Sequence, residues 1–167
     1  AQVNIVASML FAGLSGSAVA DTSALGSMLI PAMEREGYTR AYAAAVTGAS
    51  SVIGPIIPPS IIMVIYAYIM NVSVGGLFLA GFIPGITCGL GLMIATKIIG
   101  ERRNYPKREK RASLKERADA FKQGIFPLLT PVIIIGGILV GIFTPTEAGA
   151  AAVVYAFFIS VFVIRDI

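Results

Sequence analysis

The chain has no histidine and no tryptophan, a single cysteine, and only nine acidic residues among 167. Each shortage removes a class of function. Without histidine the commonest general base and metal ligand is missing. The lone Cys88, set in an apolar run, allows neither a disulfide framework nor a cysteine-rich metal site. We expect it to be an inert packing residue. Charged residues make up 13% of the chain, about half of the roughly 25% carried by soluble domains. What is abundant is apolar: 56% of residues, with a mean hydropathy of +0.84. The chain therefore reads as an all-α integral membrane protein, multi-pass, with the lipid bilayer as its solvent. Nine of the thirteen Lys and Arg residues lie between Arg102 and Lys122. Such clustering marks a cytoplasmic loop. A nucleic-acid arm would need base-stacking aromatics, and this loop offers only Tyr105 and Phe121, so no nucleic-acid partner is expected.

Within the first 70 residues two apolar runs are each interrupted. The first interruption runs from Gly13 to Gly26 and includes Ser15-Gly16-Ser17 and Asp21. The second, Ser50 to Ser60, carries Gly54, Pro55, Pro58 and Pro59. Hydrocarbon offers no partner for an unpaired amide or carbonyl, so broken backbone at membrane depth must be buried in protein or line a cavity. Transporters build ion and substrate sites in this way. The arms 1–14 and 18–33 would each reach about 21–24 Å as helices, short of a hydrocarbon core of roughly 30 Å. They suggest a re-entrant hairpin, 1–34. Asp21 falls in the first turn of the second arm. It is either a helix-start stabiliser or a carboxylate beside an ion path.

A discontinuous helix follows over 41–70. Its prolines lack N–H groups, which leaves the carbonyls of Ser51, Gly54 and Pro55 without their helical donors and suited to a small cation such as Na⁺. Ser60 is placed to cap the second half, 61–70. Three further transmembrane helices are expected: one over 77–99 and two within 124–167. Positive charge after 99 puts that end, and by counting crossings Glu34–Arg40, on the cytoplasmic side. Within the basic loop 100–123, Leu114, Ala118, Phe121 and Ile125 share one face of a short amphipathic helix expected to lie along the cytoplasmic surface. Thr144-Pro145-Thr146-Glu147 spells a capping box opening the last helix, which gives Glu147 a structural role. With no initiator Met and an end just past an apolar run, the chain is expected to be an internal piece of a longer protein.

Gly13-Leu14-Ser15-Gly16-Ser17-Ala18-Val19-Ala20-Asp21, Ile30-Pro31-Ala32-Met33 with Gly37-Tyr38, Gly54 to Ser60, and Gly141 to Ala148 together resemble the large membrane (permease) subunit of tripartite ATP-independent periplasmic (TRAP) transporters. The resemblance implies secondary active, sodium-gradient-driven uptake of an organic acid (a C4-dicarboxylate, a sialic acid or a similar carboxylate) across a bacterial inner membrane. It implies two partners, a small membrane subunit and a periplasmic substrate-binding protein. No cofactor is implied beyond Na⁺ as coupling ion, and the chain is expected not to be an enzyme. The family resembles an elevator-type carrier with two inverted repeats. Residues 1–99 would then be the first half of the transport domain and 124–167 a pair of scaffold helices. By the same resemblance Ser15, Ser17, Ser51, Gly54 and Pro55 are the expected sodium-binding positions. Gly16 and Ser60 are expected near the substrate, with Asp21 supporting the ligands from behind. Serines in membrane helices also commonly bond their own preceding carbonyl.

Two other readings remain. A stand-alone sodium–dicarboxylate symporter of the same broad architecture would dispense with the binding protein. A rhomboid-like intramembrane serine protease would use Ser15 in Gly13-Leu14-Ser15-Gly16 as nucleophile. That chemistry needs an adjacent base, which rhomboids draw from histidine, and the triple-proline break has no place in it.

Overall fold

The computed structural model describes residues 1–105 and 114–164, with the side chains of 114–120, 122, 123, 163 and 164 left aside. Among the described residues there is no strand. The chain divides into two compact units, 1–107 and 108–167, each taken here by itself.

The first unit opens with a helical hairpin, α1 (Gln2–Ser15) and α2 (Ala18–Arg35). Gly16 ends α1 in the left-handed conformation (φ 59°), with its N–H on the Ala12 carbonyl. Ser17 is extended and caps α2, accepting from the Ala20 N–H at 3.4 Å. Two residues thus reverse the chain. The arms run antiparallel, because Asn4 near the start of α1 meets Met33 near the end of α2. Helix α3 (Arg40–Ser51) then runs beside α1 in the same direction, with Thr47 opposite Asn4 and Ser50 opposite Ser8. Residues 52–60 are non-helical, as the prolines require. The short α4 (Ile61–Met70) restarts at Ser60, whose side chain accepts from the Met63 N–H at 3.4 Å. It stops at Asn71 in the left-handed region, which Asn tolerates. The hairpin and both halves of the discontinuous helix therefore fall where the sequence puts them, within a residue or two.

Helix α5 (Val74–Arg102) is longer than the expected 77–99, gaining a Ser73 cap at one end and a charged last turn at the other. Pro84 sits inside it without breaking it. It returns antiparallel to α1: Gly89 packs on Met9, and the Gln2 Nε2 donates to the Met93 carbonyl at 2.8 Å. Gly81, Gly85 and Gly89 fall four apart on one face. A Cβ on any of them would run into the Ile56 carbonyl, the Ile57 side chain or the Met9 side chain respectively. This is how helices associate where lipid is as apolar as leucine: small residues allow close backbone approach. Gly81→Ala is accordingly expected to destabilise the full-length protein by about 1–3 kcal/mol, since its Cβ would stand 2.5 Å from a backbone oxygen. Gly91→Ala, with nothing within 4 Å, should be neutral or mildly stabilising. Thermal unfolding in detergent distinguishes them.

Two apolar clusters fill the unit. One joins Ile5, Met33, Tyr42, Ala43 and Val46, and the other Ala12, Ile53 and Ile57. At the end remote from the hairpin tip, Tyr38, Tyr42 and Tyr105 stack with ring centroids 4.8–5.9 Å apart. The Tyr42 hydroxyl donates to the Thr96 carbonyl at 3.2 Å. The expected packing role of Cys88 is not met: its side chain is exposed on α5. An apolar helix has no polar face to reveal which side is covered.

The second unit holds α6 (Leu114–Leu139) and α7 (Pro145–Phe158), continued by a π-helical segment, Ile159–Ile164. α6 is one continuous helix, so the expected surface helix and the crossing from 124 are joined end to end. Pro127 and Pro131 lie within it. Of the proposed amphipathic face, Phe121 and Ile125 are exposed, while the Leu114 and Ala118 side chains and the segment 106–113 lie outside the described residues. The capping box is present. The Thr144 Oγ1 accepts from the Glu147 N–H at 3.3 Å, and the Glu147 carboxylate accepts from the Thr144 N–H at 2.8 Å. The Tyr155 hydroxyl donates to the Phe126 carbonyl at 2.9 Å, pairing α7 antiparallel with α6. Among the described residues, Val74–Arg102 and Pro145–Phe162 are long and apolar enough to cross a membrane.

Candidate functional site

The site lies where the hairpin tip meets the break after α3. Gly16 makes the junction possible. A Cβ there would stand 2.7 Å from the Pro59 carbonyl oxygen, 3.0 Å from the Ser60 Cα and 3.2 Å from the Ile61 nitrogen. The tip thus rests directly on backbone, and only glycine combines that approach with its positive φ. One turn into α2, Asp21 is fully buried. Its Oδ1 accepts from the Ser15 hydroxyl across the tip. Its Oδ2 has no hydrogen-bond partner among the described residues. That oxygen faces Gly54, where an added Cβ would stand 2.6 Å from it and 3.1 Å from the Ser51 carbonyl oxygen. A buried, unpaired carboxylate oxygen is costly in a medium that cannot solvate it. Here it is held beside broken backbone by a hydroxyl on its other oxygen.

The expected site residues separate into groups. Ser15, Gly16, Asp21, Gly54 and Ser60 are brought together, with Pro55 next in the chain and half-buried. Asp21 lies in the first turn of α2, the place expected of a helix-start stabiliser, while Ser17 is the cap, its hydroxyl accepting from the Ala20 N–H. The Ser51 hydroxyl donates to its own helix, to the Thr47 carbonyl at 2.8 Å. The Ser51 carbonyl has a donor as well. It accepts from the Gly54 N–H at 3.0 Å, because α3 tightens into an i+3 turn before the prolines begin. The carbonyls of Gly54 and Pro55 do remain without a hydrogen-bond donor among the described residues. Each of these hydroxyls, and the Ser51 carbonyl, keeps a lone pair beyond the bond it makes. The oxygens about the junction are therefore the Asp21 carboxylate, the serine hydroxyls and the carbonyls of Ser51, Gly54 and Pro55. This is a hard, anionic donor set that suits a small cation such as Na⁺.

Sequence reasoning missed a second buried polar group. Asn4, Ser8, Thr47 and Ser50 are all at most 2% exposed and bond to one another across α1 and α3. The signal was present: Asn4 and Ser8 lie four apart in an apolar helix, as do Thr47 and Ser51. It does not reveal which residues pair.

Two helices long and apolar enough to cross a membrane, and two helix interruptions gathered about a buried carboxylate, fit a helical membrane protein. The chain belongs to the DctM-component family of tripartite ATP-independent periplasmic transporters, whose description it matches over residues 1–167. It is 48% identical over 157 residues, 94% of this chain, to the sialic acid TRAP transporter large permease protein SiaM of Vibrio cholerae, of which it covers 36%. It is 48% identical over 163 residues, 98% of the chain, to the C4-dicarboxylate TRAP transporter large permease protein DctM of the same organism, again covering 36%. With the 2,3-diketo-L-gulonate TRAP transporter large permease protein YiaN of Escherichia coli it shares 43% identity over 164 residues, covering 98% of the chain and 38% of that protein. The chain thus spans little more than a third of the length of these curated relatives. The family is one of transporters.

Proposed function

We propose that this chain is part of the large permease subunit of a sodium-gradient-driven uptake system for an organic acid, seated in a bacterial inner membrane. Substrate arrives on a periplasmic binding protein, and a small membrane subunit completes the complex. The hairpin enters and leaves the bilayer from the cytoplasmic side, and the hairpin, broken helix and α5 move together as half of an elevator-type transport domain. The observation that carries this reading is the unpaired Asp21 Oδ2 facing Gly54 at the meeting of tip and break. Na⁺ would be held there by the Asp21 carboxylate and the carbonyls of Gly54 and Pro55, with Ser15 orienting the carboxylate. Asp21 so moves from supporting residue to principal ligand, beside the serine positions. Gly16 and Ser60 stand at the N-terminus of α4, a helix end that suits a carboxylate substrate. The relatives' names speak of sialic acid, C4-dicarboxylates and a diketo-gulonate. A carboxylate is the chemistry they share.

The test is uptake by the full-length parent protein, reconstituted with its small subunit and supplied with binding protein loaded with radiolabelled C4-dicarboxylate or sialic acid. Transport is expected to require both an inward sodium gradient and the binding protein. Uptake with sodium alone would make the protein a stand-alone symporter. Uptake indifferent to sodium would sink the ion site.

A further inference from the structure

Four polar side chains, Asn4, Ser8, Thr47 and Ser50, are buried between α1 and α3. Ser51 is buried next to Ser50 on α3, and none of the five is more than 2% exposed. The α3 hydroxyls do not need a neighbour. Thr47 donates to the Ala43 carbonyl at 2.9 Å, Ser50 lies 3.1 Å from the Thr47 carbonyl, and Ser51 donates to the same carbonyl at 2.8 Å. Each could satisfy itself on its own helix. Asn4 is different, because its amide finds its partners on other helices. Its Nδ2 donates to the Thr47 Oγ1 at 2.7 Å and lies 3.3 Å from the Met33 Sδ of α2, while its Oδ1 is 3.5 Å from the Ser50 Oγ. One turn further on, Ser8 and Ser50 pair at 2.7 Å. Asn4 thus joins both arms of the hairpin to the first half of the broken helix.

This column is not a conduit. Every one of its side-chain polar atoms has a partner, and the sole buried side-chain atom lacking one among the described residues is the Asp21 Oδ2. What the column controls is register. α1 carries the tip at Ser15, and α3 carries the break at Gly54. A slip of one residue between the helices would displace tip from break by about 1.5 Å. That exceeds what a contact between a carboxylate oxygen and Gly54 can absorb.

We propose that the Asn4–Thr47 and Ser8–Ser50 pairs are a register lock. They position Asp21 against the break and thereby set the sodium affinity of the site without touching the ion. The affinity part rests on the sodium reading above; the positional part does not. Asn4, Ser8, Thr47 and Ser50 are positioning residues.

The experiment uses the full-length transporter with its small subunit and loaded binding protein, in proteoliposomes. Thr47→Val keeps the shape and removes the hydroxyl, Thr47→Ser keeps the hydroxyl, and Asn4→Leu removes the amide. Thr47→Val and Asn4→Leu are expected to raise the sodium concentration for half-maximal uptake roughly three- to twentyfold. The binding-protein concentration for half-maximal uptake should stay unchanged. Thr47→Ser should behave as wild type, and the double variant no worse than Asn4→Leu. In sodium-free buffer, the amides of Gly54, Ile56 and Ile57 should exchange hydrogen faster in Thr47→Val than in Thr47→Ser. Unchanged sodium dependence and unchanged exchange would overturn the lock. Equal shifts for sodium and binding protein would overturn it too, leaving a general packing role. Should wild-type uptake ignore sodium, the sodium reading falls by itself and hydrogen exchange alone decides the lock. If Asn4→Leu fails to fold, the Thr47 pair carries the test.

Discussion

Gly16→Ala is expected to abolish uptake and to lower the thermal stability of the full-length protein by several degrees. Two effects combine. Alanine at φ 59° incurs the left-handed penalty of about 1–2 kcal/mol. Its Cβ would then stand 2.7 Å from the Pro59 oxygen and 3.0 Å from the Ser60 Cα. Both are backbone atoms, in a segment packed on the Gly81 face of α5, so neither can swing aside like a side-chain end. The tip must lift off the break, at a combined cost of roughly 2–5 kcal/mol. Gly48→Ala is the control, since a Cβ there meets nothing within 4 Å. Unfolding midpoints and uptake, measured on both variants at matched expression, give the comparison. If Gly16→Ala behaves like Gly48→Ala, tip and break are not in contact in the working protein.

What could be read from the sequence was whatever a few neighbouring residues decide. Prolines 55, 58 and 59 remove backbone donors wherever they stand, so the break was visible. Ser60 and Thr144 cap the helices they precede, and Glu147 closes its capping box, because those bonds span only three residues. The bond at Ser51 is local as well. Counting lost i+4 donors ignores the alternative i+3 bond, and the Gly54 N–H takes it. The remaining gaps are tertiary. Nothing near Gly81 in sequence says that its face will receive the Ile56 carbonyl. Asn4 and Thr47, 43 residues apart, pair only once α1 and α3 lie parallel. Asp21 shows the divide most clearly. Its place in the first turn of α2 suggested equally a helix-start stabiliser and a carboxylate beside an ion path. Only the folded hairpin shows Ser17 as the cap, Ser15 on one carboxylate oxygen and the other oxygen against Gly54.

Asp21→Asn should raise the sodium concentration for half-maximal uptake roughly 10- to 100-fold, the scale of losing a charged partner at a buried site. The substitution is nearly isosteric. The amide oxygen can still accept from the Ser15 hydroxyl, so the tip should keep its shape and the unfolding midpoint should move little. What changes is the other position, where an unpaired anionic oxygen beside Gly54 becomes an N–H donor that cannot ligate a cation. Gly54→Ala approaches the same oxygen from the opposite side. Gly54 is not among the glycines with positive φ, so alanine there carries no left-handed penalty, yet its Cβ would stand 2.6 Å from the Asp21 Oδ2 and cover it. One variant removes the charge and the other blocks access to it, and both should weaken the sodium response while binding-protein dependence persists. Sodium titrations of uptake, run beside thermal unfolding, measure this. A wild-type sodium response in Asp21→Asn would take the ion away from this junction and leave Asp21 as a strut whose partner is Ser15.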